Sequence, residues 1–231
     1  MLLNQRRVLR FALGALLLGA LMLLLMAVDA TADGIQWVDD RWRDLMVSAR
    51  FTPLVWLCEA MAFIGSVWVN WPLRIAAMVF LAFKRRWLQL GAFALAVASS
   101  EVLIGTLKAA YARPRPPGSL MATSGFSFPS GHAIAGAVTA VGLVVCLLPP
   151  GSKRWAWEVR AAIFASLMAL SRTYLRAHWL SDVVAGALIG TGLALLWPAL
   201  LQSIRDRWYL PHQARRAAGP DPSNQPSAAS P

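Results

Sequence analysis

Long apolar runs alternate with short polar breaks along this chain, a pattern that predicts helices crossing a bilayer. The first run, Phe11 to Val28, follows Arg6, Arg7 and Arg10. A span needs about 20 apolar residues, within a range of roughly 17 to 25, so this run qualifies as a first transmembrane helix. A cleaved signal peptide is the rival, because Ala30-Thr31-Ala32 resembles a cleavage site. Signal cores run only about 7 to 15 residues, and the anchor is preferred. From Asp29 to Asp44 the chain turns polar and acidic, with Trp37 and Trp42 interleaved. This predicts an outer loop and an interfacial helix that continues toward Ala62. Asp29, Asp33, Asp39, Asp40 and Asp44 read there as solvated charges, since their spacing matches no cation-ligand pattern. Further spans are predicted from Gly65 to Phe83, Trp87 to Leu107, Gly131 to Leu148, Val159 to Leu175 and Leu180 to Leu201. No internal repeat interrupts the order. Gly219 to Pro231 has no apolar periodicity and predicts a disordered end. The expected organisation is one membrane-embedded domain over residues 1–210 and a cytoplasmic tail over 211–231.

Charge then orients these elements. Six spans put both termini on one side. The basic clusters at 6–10, 84–86, 153–154 and 205–216 all fall on that side, which the positive-inside rule assigns to the cytoplasm. The acidic segment falls on the opposite, outer face. Trp68, Trp71, Trp87, Trp155, Trp157, Trp179 and Trp208 lie near predicted span ends, where aromatic belts form. The expected fold is all-α, a six-transmembrane-helix bundle with an outer interfacial helix.

Composition agrees. Of 231 residues, 58% are hydrophobic and 14% charged, with mean hydropathy +0.53; soluble domains carry about 25% charged residues. A net charge of +11 would suggest nucleic acid in a soluble chain. Here the cations sit in loops between spans, and no nucleic-acid partner is expected. Cys58 and Cys146 fall near opposite faces and are read as unpaired apolar packing residues. Arg74 and Glu101 lie inside the second and third spans. Intramembrane charges are nearly always paired, so a buried Arg74–Glu101 pair is expected, with an ion or proton pathway as the alternative.

Two stretches carry the candidate chemistry. One holds Lys108, six residues, Arg115-Pro116, then Pro129-Ser130-Gly131-His132. The other holds Ser171-Arg172, five residues, His178, three residues, Asp182. Three fixed cations, two histidines and a carboxylate suit a phosphate group, because lysine and arginine donate charge-assisted hydrogen bonds to its oxygens. Histidine can attack phosphorus or protonate a leaving oxygen. His178 and Asp182 would share a helix face one turn apart if both lie in the sixth helix, and a carboxylate there would fix the imidazole tautomer. A pair that merely caps the bend is the plain alternative. Ser130 is a natural N-cap for a helix whose free amides bind anions. Lys108 could instead be snorkelling from a helix end. Arg113 and Arg176 stand outside the spacing and read as headgroup-contacting or outer-surface charges; Ser171 is given only an indirect hydrogen-bonding role. No metal-ligand cluster, nucleotide-binding glycine motif or cofactor site is present in the pattern, which predicts a metal-independent enzyme.

The three motifs, Lys-x6-Arg-Pro, Pro-Ser-Gly-His and Ser-Arg-x5-His-x3-Asp, resemble those of the type 2 phosphatidic acid phosphatase superfamily, which also contains vanadium haloperoxidases. The likeness covers roughly residues 100 to 190. It implies that His178 is the nucleophile, oriented by Asp182, and that His132 is the general acid. It further implies that Lys108, Arg115, Ser130, Gly131 and Arg172 bind the substrate phosphate, and that a phosphohistidine forms and is hydrolysed by water. The expectation is an integral membrane lipid phosphatase, in a bacterial inner membrane, with its site on the periplasmic or extracellular face. Its substrate would be a lipid phosphate or diphosphate. Undecaprenyl diphosphate is favoured only on the assumption of that membrane; phosphatidylglycerophosphate, phosphatidate and lipid A phosphates fit as well. A lipid phosphotransferase and a non-catalytic lipid-phosphate binding or transport protein are the alternatives. The segment between Pro117 and Phe128 is expected to shape substrate choice. Oligomeric state is not legible.

Overall fold

In the computed structural model, residues 5–149 and 151–209 are described, the side chains of residues 152, 153, 208 and 209 excepted. The expected tail at 211–231, with Arg215 and Arg216, lies outside the described residues, as does the Trp208 side chain. Eight α-helices follow in order: α1 (Gln5–Ala27), α2 (Asp29–Ser48), α3 (Thr52–Ile64), α4 (Val67–Phe83), α5 (Trp87–Tyr111), α6 (Gly131–Leu147), α7 (Ser152–Tyr174) and α8 (Leu180–Ile204). A π-helical turn, Arg205–Tyr209, continues from α8. No strand occurs among the described residues.

The apolar runs became helices because a helix satisfies every backbone group within its own segment, the condition a bilayer imposes. By length and composition α1, α5 and α8 can each cross a membrane. Helices α3 and α4 qualify together as a pair bent by 45°, and α6 is apolar but shorter. Helix α7 carries Arg154, Glu158 and Arg160 in its first half, so its span is less apolar than the others. Phe11, Leu17, Phe63, Trp68 and Phe83 are exposed on the outside of the bundle, where lipid is the natural solvent for them. The outer helix departs from expectation. It does not run on toward Ala62 but breaks at Ala49–Phe51. Phe51 is extended, and a proline in the first turn starts α3 anew. Tyr174 fixes this break to the end of α7: its hydroxyl accepts from the Phe51 amide and donates to the Ala49 carbonyl, at 3.0 and 3.1 Å.

Helix α8 is the packing axis. Small residues let its neighbours approach: a Cβ at Gly190 would stand 2.5 Å from the Ile134 carbonyl oxygen of α6, and one at Gly192 2.6 Å from Leu16 of α1. The main apolar core joins α4, α5, α6 and α8 through Leu81, Phe93, Val97, Ile134, Val138 and Leu193. Cys58 and Cys146 are free and buried, in different clusters.

The Arg74–Glu101 pair is present, at 2.7 Å. Arg74 is fully buried and also donates to Thr139 (2.8 Å) and to the Ala135 carbonyl (3.3 Å). One guanidinium thereby ties α4 to both α5 and α6. Removing one partner of a buried pair costs about 3–5 kcal/mol, whereas replacing both by apolar residues is often neutral. Glu101→Met should therefore lower the melting temperature in detergent clearly, and Arg74→Met/Glu101→Met should recover most of it. An unchanged melting temperature for Glu101→Met would remove the pair from the determinants of this fold.

Candidate active site

Both motif stretches meet at one end of the bundle. Lys108 stands in the last turn of α5, and the segment after it carries Arg113 and Arg115 across to α6. Arg172 stands in the last turn of α7. His178 lies in the short loop before α8, and Asp182 is in the first turn of α8. Lys108, Arg115, Gly131, His132, Arg172 and His178 all line one cavity of about 430 Å³. Ala62, Phe63 and Ser66, at the α3–α4 bend, and Met121 to Ser124 line it as well. Glu59 is the carboxylate among the described lining residues.

The cations are held by neutral groups. Lys108 donates to the Phe126 carbonyl. Arg115 donates to the carbonyls of Gly125 (3.0 Å), Ala177 (2.7 Å) and Ser124 (2.8 Å). Arg172 reaches the Met121 sulfur, and its Nε is buried with no acceptor. Among the described residues none of the three has a carboxylate partner within ion-pair distance, so the cavity keeps their positive charge. That is the field an oxyanion needs.

The two histidines differ in support. Arginine is only a donor, and Arg115 Nη1 lies 3.2 Å from His178 Nε2. Nε2 therefore carries the lone pair, and Nδ1–H points to Asp182 Oδ2 at 3.2 Å. Burial pushes the His178 pKa down to about 4, against the opposing pull of Asp182, so the ring is neutral at pH 7. His132 sits at the start of α6 with the α3–α4 bend against it; a Cβ at Gly65 would come within 2.9 Å of its ring.

Ser130 is the N-cap of α6, accepting the Ala133 amide at 3.4 Å. It is fully buried behind the cavity wall, while Gly131 lines the cavity beside the Lys108 stem. Ser171 donates to the Met168 carbonyl of its own helix and does not reach the cavity. Among the described residues no three His, Cys, Asp or Glu side chains gather as a metal-binding group.

A family model described as the PAP2 superfamily matches residues 89–206, just over half of the chain and all of this constellation. The chain belongs to the PAP2 superfamily. It is similar in structure to the PAP2-type phosphatidylglycerolphosphate phosphatase of Bacillus subtilis, at 25% identity and a TM-score of 0.69, over 85% of this chain and 96% of that one. It is also similar to Aquifex aeolicus LpxE, at 26% identity and a TM-score of 0.56, over 68% of this chain and 92% of that one. A Sulfolobus acidocaldarius protein named undecaprenyl-diphosphatase is 39% identical over 71 residues. That match spans about a third of each chain. A transmembrane PAP2-type phosphatase is thus among its structural neighbours, and its apolar helices make it an integral membrane protein.

The PAP2 motifs did not disclose what holds them. His178 is not part of the sixth span's helix, because α8 starts at Leu180. Asp182 Oδ2 accepts the Trp179 amide at 2.9 Å as well as facing His178. Capping the bend and orienting the imidazole are one and the same contact. Arg113, read as a headgroup or surface charge, is buried: it pairs with Asp182 Oδ1 at 2.8 Å and with Asp39 at 2.7 Å. Asp39, read as solvated, is buried too and accepts from the Ser181 amide and hydroxyl at 2.9 and 2.5 Å. Trp179 belongs to no aromatic belt; it is buried, with its indole N–H on the Pro114 carbonyl at 2.9 Å. The sequence signal for Arg113 was its place two residues from Arg115, in a segment too polar to be buried without partners.

Arg113→Leu should strand Asp39 and Asp182 without a counterion, at a cost of about 3–5 kcal/mol. The expected result is a large fall in melting temperature. Arg113→Lys should recover only part, since one ammonium lacks the fork that spans two carboxylates.

Proposed function

We propose that this PAP2 protein is a lipid phosphatase that transfers the phosphate of a lipid phosphate or diphosphate to His178 and then to water. The observation that carries this reading is the cavity in which three cations without carboxylate partners surround a neutral, carboxylate-backed histidine. Substrate oxygens would displace the carbonyls and sulfur from Lys108, Arg115 and Arg172 and take their donors. As Arg115 turns to the phosphate, the Nε2 lone pair of His178 is released for attack on phosphorus. The P–O bond to the leaving group breaks as the N–P bond forms, and His132, holding a proton that the negative charge of the bound phosphate keeps on its ring, gives that proton to the departing oxygen. Asp182 stabilises the positive imidazole through Nδ1–H. A water molecule then attacks phosphorus, His132 takes the water's proton, the N–P bond breaks, and inorganic phosphate leaves. Gly131, in the first turn of α6, offers a backbone amide to the same oxygens, and Ser130 supports it as the cap.

The cations spread over the equatorial oxygens do the charge work that a divalent metal does elsewhere, so the reaction is metal-independent. With six spans and both termini in the cytoplasm, the site faces the outer leaflet of a bacterial inner membrane. Undecaprenyl diphosphate is the substrate favoured, a reading to which the name of the Sulfolobus acidocaldarius relative lends support.

Purified protein in detergent should release phosphate from such lipids in the presence of EDTA, and His178→Ala should abolish the release. Equal release by the variant, or none by either protein from a panel of lipid phosphates, would sink this reading. The pH profile is a second check. His178 attacks only when unprotonated, and burial lowers its pKa to about 4 from the ordinary histidine value of 6.5. The nucleophile should therefore stay competent as pH falls through 6.5 and be lost only near 4. An acid limb with a midpoint at the ordinary histidine value would contradict the buried, neutral ring.

A further inference from the structure

The three cations of the cavity are all held by the same short stretch of chain. Lys108 donates to the Phe126 carbonyl. Arg115 turns Nε to the Gly125 carbonyl at 3.0 Å, and Nη2 to the carbonyls of Ser124 and Phe126 at 2.8 and 3.2 Å. Arg172 turns Nη1 to the Met121 sulfur at 2.8 Å. Every one of these acceptors lies within residues 121–126. Arg115 Nη1 looks elsewhere, to the Ala177 carbonyl and His178. The stretch satisfies the cations incompletely, because the buried Arg172 keeps its Nε without an acceptor.

That stretch hangs between two fixed posts. Before it, the Leu120 amide donates to the Leu175 carbonyl at 2.9 Å. After it, the Ser127 amide donates to the Arg113 carbonyl at 2.8 Å and the Ser127 hydroxyl to the Pro114 carbonyl at 3.0 Å. Ser127 and Phe128 are fully buried, whereas residues 122–126 are exposed. No backbone–backbone hydrogen bond joins 121–126 to the rest of the described residues. Beyond a local tie of Met121 to Ser119, its hydrogen bonds are those to the cations. An exposed segment with few buried contacts opens at low cost. A phosphate oxyanion also makes stronger bonds to these donors than a neutral carbonyl or thioether can. Gly125 supplies the bend. It stands at φ 66°, a conformation that glycine adopts without steric cost. A Cβ added there would meet nothing within 4 Å, so the closed backbone calls for glycine by its conformation and not by lack of space.

We propose that residues 121–126 are an autoinhibitory strap. Its carbonyls and thioether occupy the donors of Lys108, Arg115 and Arg172, and a phosphate oxyanion binds only after the strap has swung off them. The proposal rests on the reading of these cations as the phosphate site. The apparent affinity for phosphate is then the intrinsic affinity reduced by the fraction of molecules with the strap open. A change that weakens the closed strap and spares the cations tightens phosphate binding.

The test is isothermal titration calorimetry of the full chain in detergent with inorganic phosphate, which requires no turnover. Gly125→Ala strains the closed strap through its backbone and leaves every cation in place. It should bind phosphate about tenfold more tightly than the parent. Met121→Leu keeps an apolar side chain of similar size but removes the sulfur from Arg172, and it should tighten binding as well. Lys108→Gln added to Gly125→Ala should abolish the gain, which places the phosphate on the cations. A glycine that serves only the fold would give the opposite sign, because a distorted site binds more weakly. Phosphate affinity in Gly125→Ala equal to the parent's, or weaker, would overturn the strap and leave the phosphate site standing. No binding by the parent or by either strap variant would overturn the phosphate site itself, and the strap with it.

Discussion

A carboxylate sealed from water must find its counterions and donors within the protein, or it will not stay charged. Asp182 meets that demand with partners from three parts of the chain. One oxygen takes Arg113, the other takes His178 and the Trp179 amide, and its backbone carbonyl takes the Ser130 amide at 3.0 Å. Arg113 passes the constraint on to Asp39, and Asp39 passes it to Ser181 at the start of α8. The orphan amides of two helix starts, α6 and α8, are thus tied into one buried ionic chain. Helix α2 is drawn in as well, because it supplies Asp39 and Gln36, which accepts from Arg113 at 2.6 Å. The geometry around His178 cannot change without breaking one of these contacts.

This division of charge separates scaffold from chemistry. Arg113 and Arg74 are neutralised by Asp39, Asp182 and Glu101, and each locks helices together. Lys108, Arg115 and Arg172 are held by carbonyls and a thioether, which position a cation without cancelling it. A phosphate can outcompete such neutral partners, whereas it could not displace a buried carboxylate at similar cost. Five cations with the same formal charge therefore fall into two groups, neutralised and not, and their partners decide which.

The helix pattern was legible because a bilayer leaves few options. Runs starting at Trp87, Gly131 and Leu180 begin helices at those same residues, since a proline, glycine or charged break precedes each. The motif spacing also carried information: Lys108, Arg115, Gly131, His132, Arg172 and His178 do converge on one cavity. The Arg74–Glu101 pair could be read because an unpaired charge inside a span is so costly. The acidic segment misled for the converse reason. Five aspartates near a predicted outer loop look alike in one dimension, and nothing local marks Asp39 as the one that turns inward. The break at Ala49–Phe51 was hidden as well, because the apolar content continues through it and only Tyr174, far along the chain, stabilises it.

By itself the sequence determined the all-helical membrane architecture, the order of its elements and the residue types that line the cavity. Each follows from local rules: apolar length against bilayer thickness, charge against the cost of burying it, and motif spacing against helix geometry. Outside the predicted spans, the tertiary structure alone decided which charges are neutralised and which stay available. It made Arg113 and Asp39 scaffold, gave Trp179 to the core and set Ser130 behind the wall. Those assignments depend on partners far along the chain, 69 positions for Arg113 with Asp182 and 142 for Asp39 with Ser181. Electrostatic pairing is a property of distance in space, and a linear pattern does not contain it until the helices have packed.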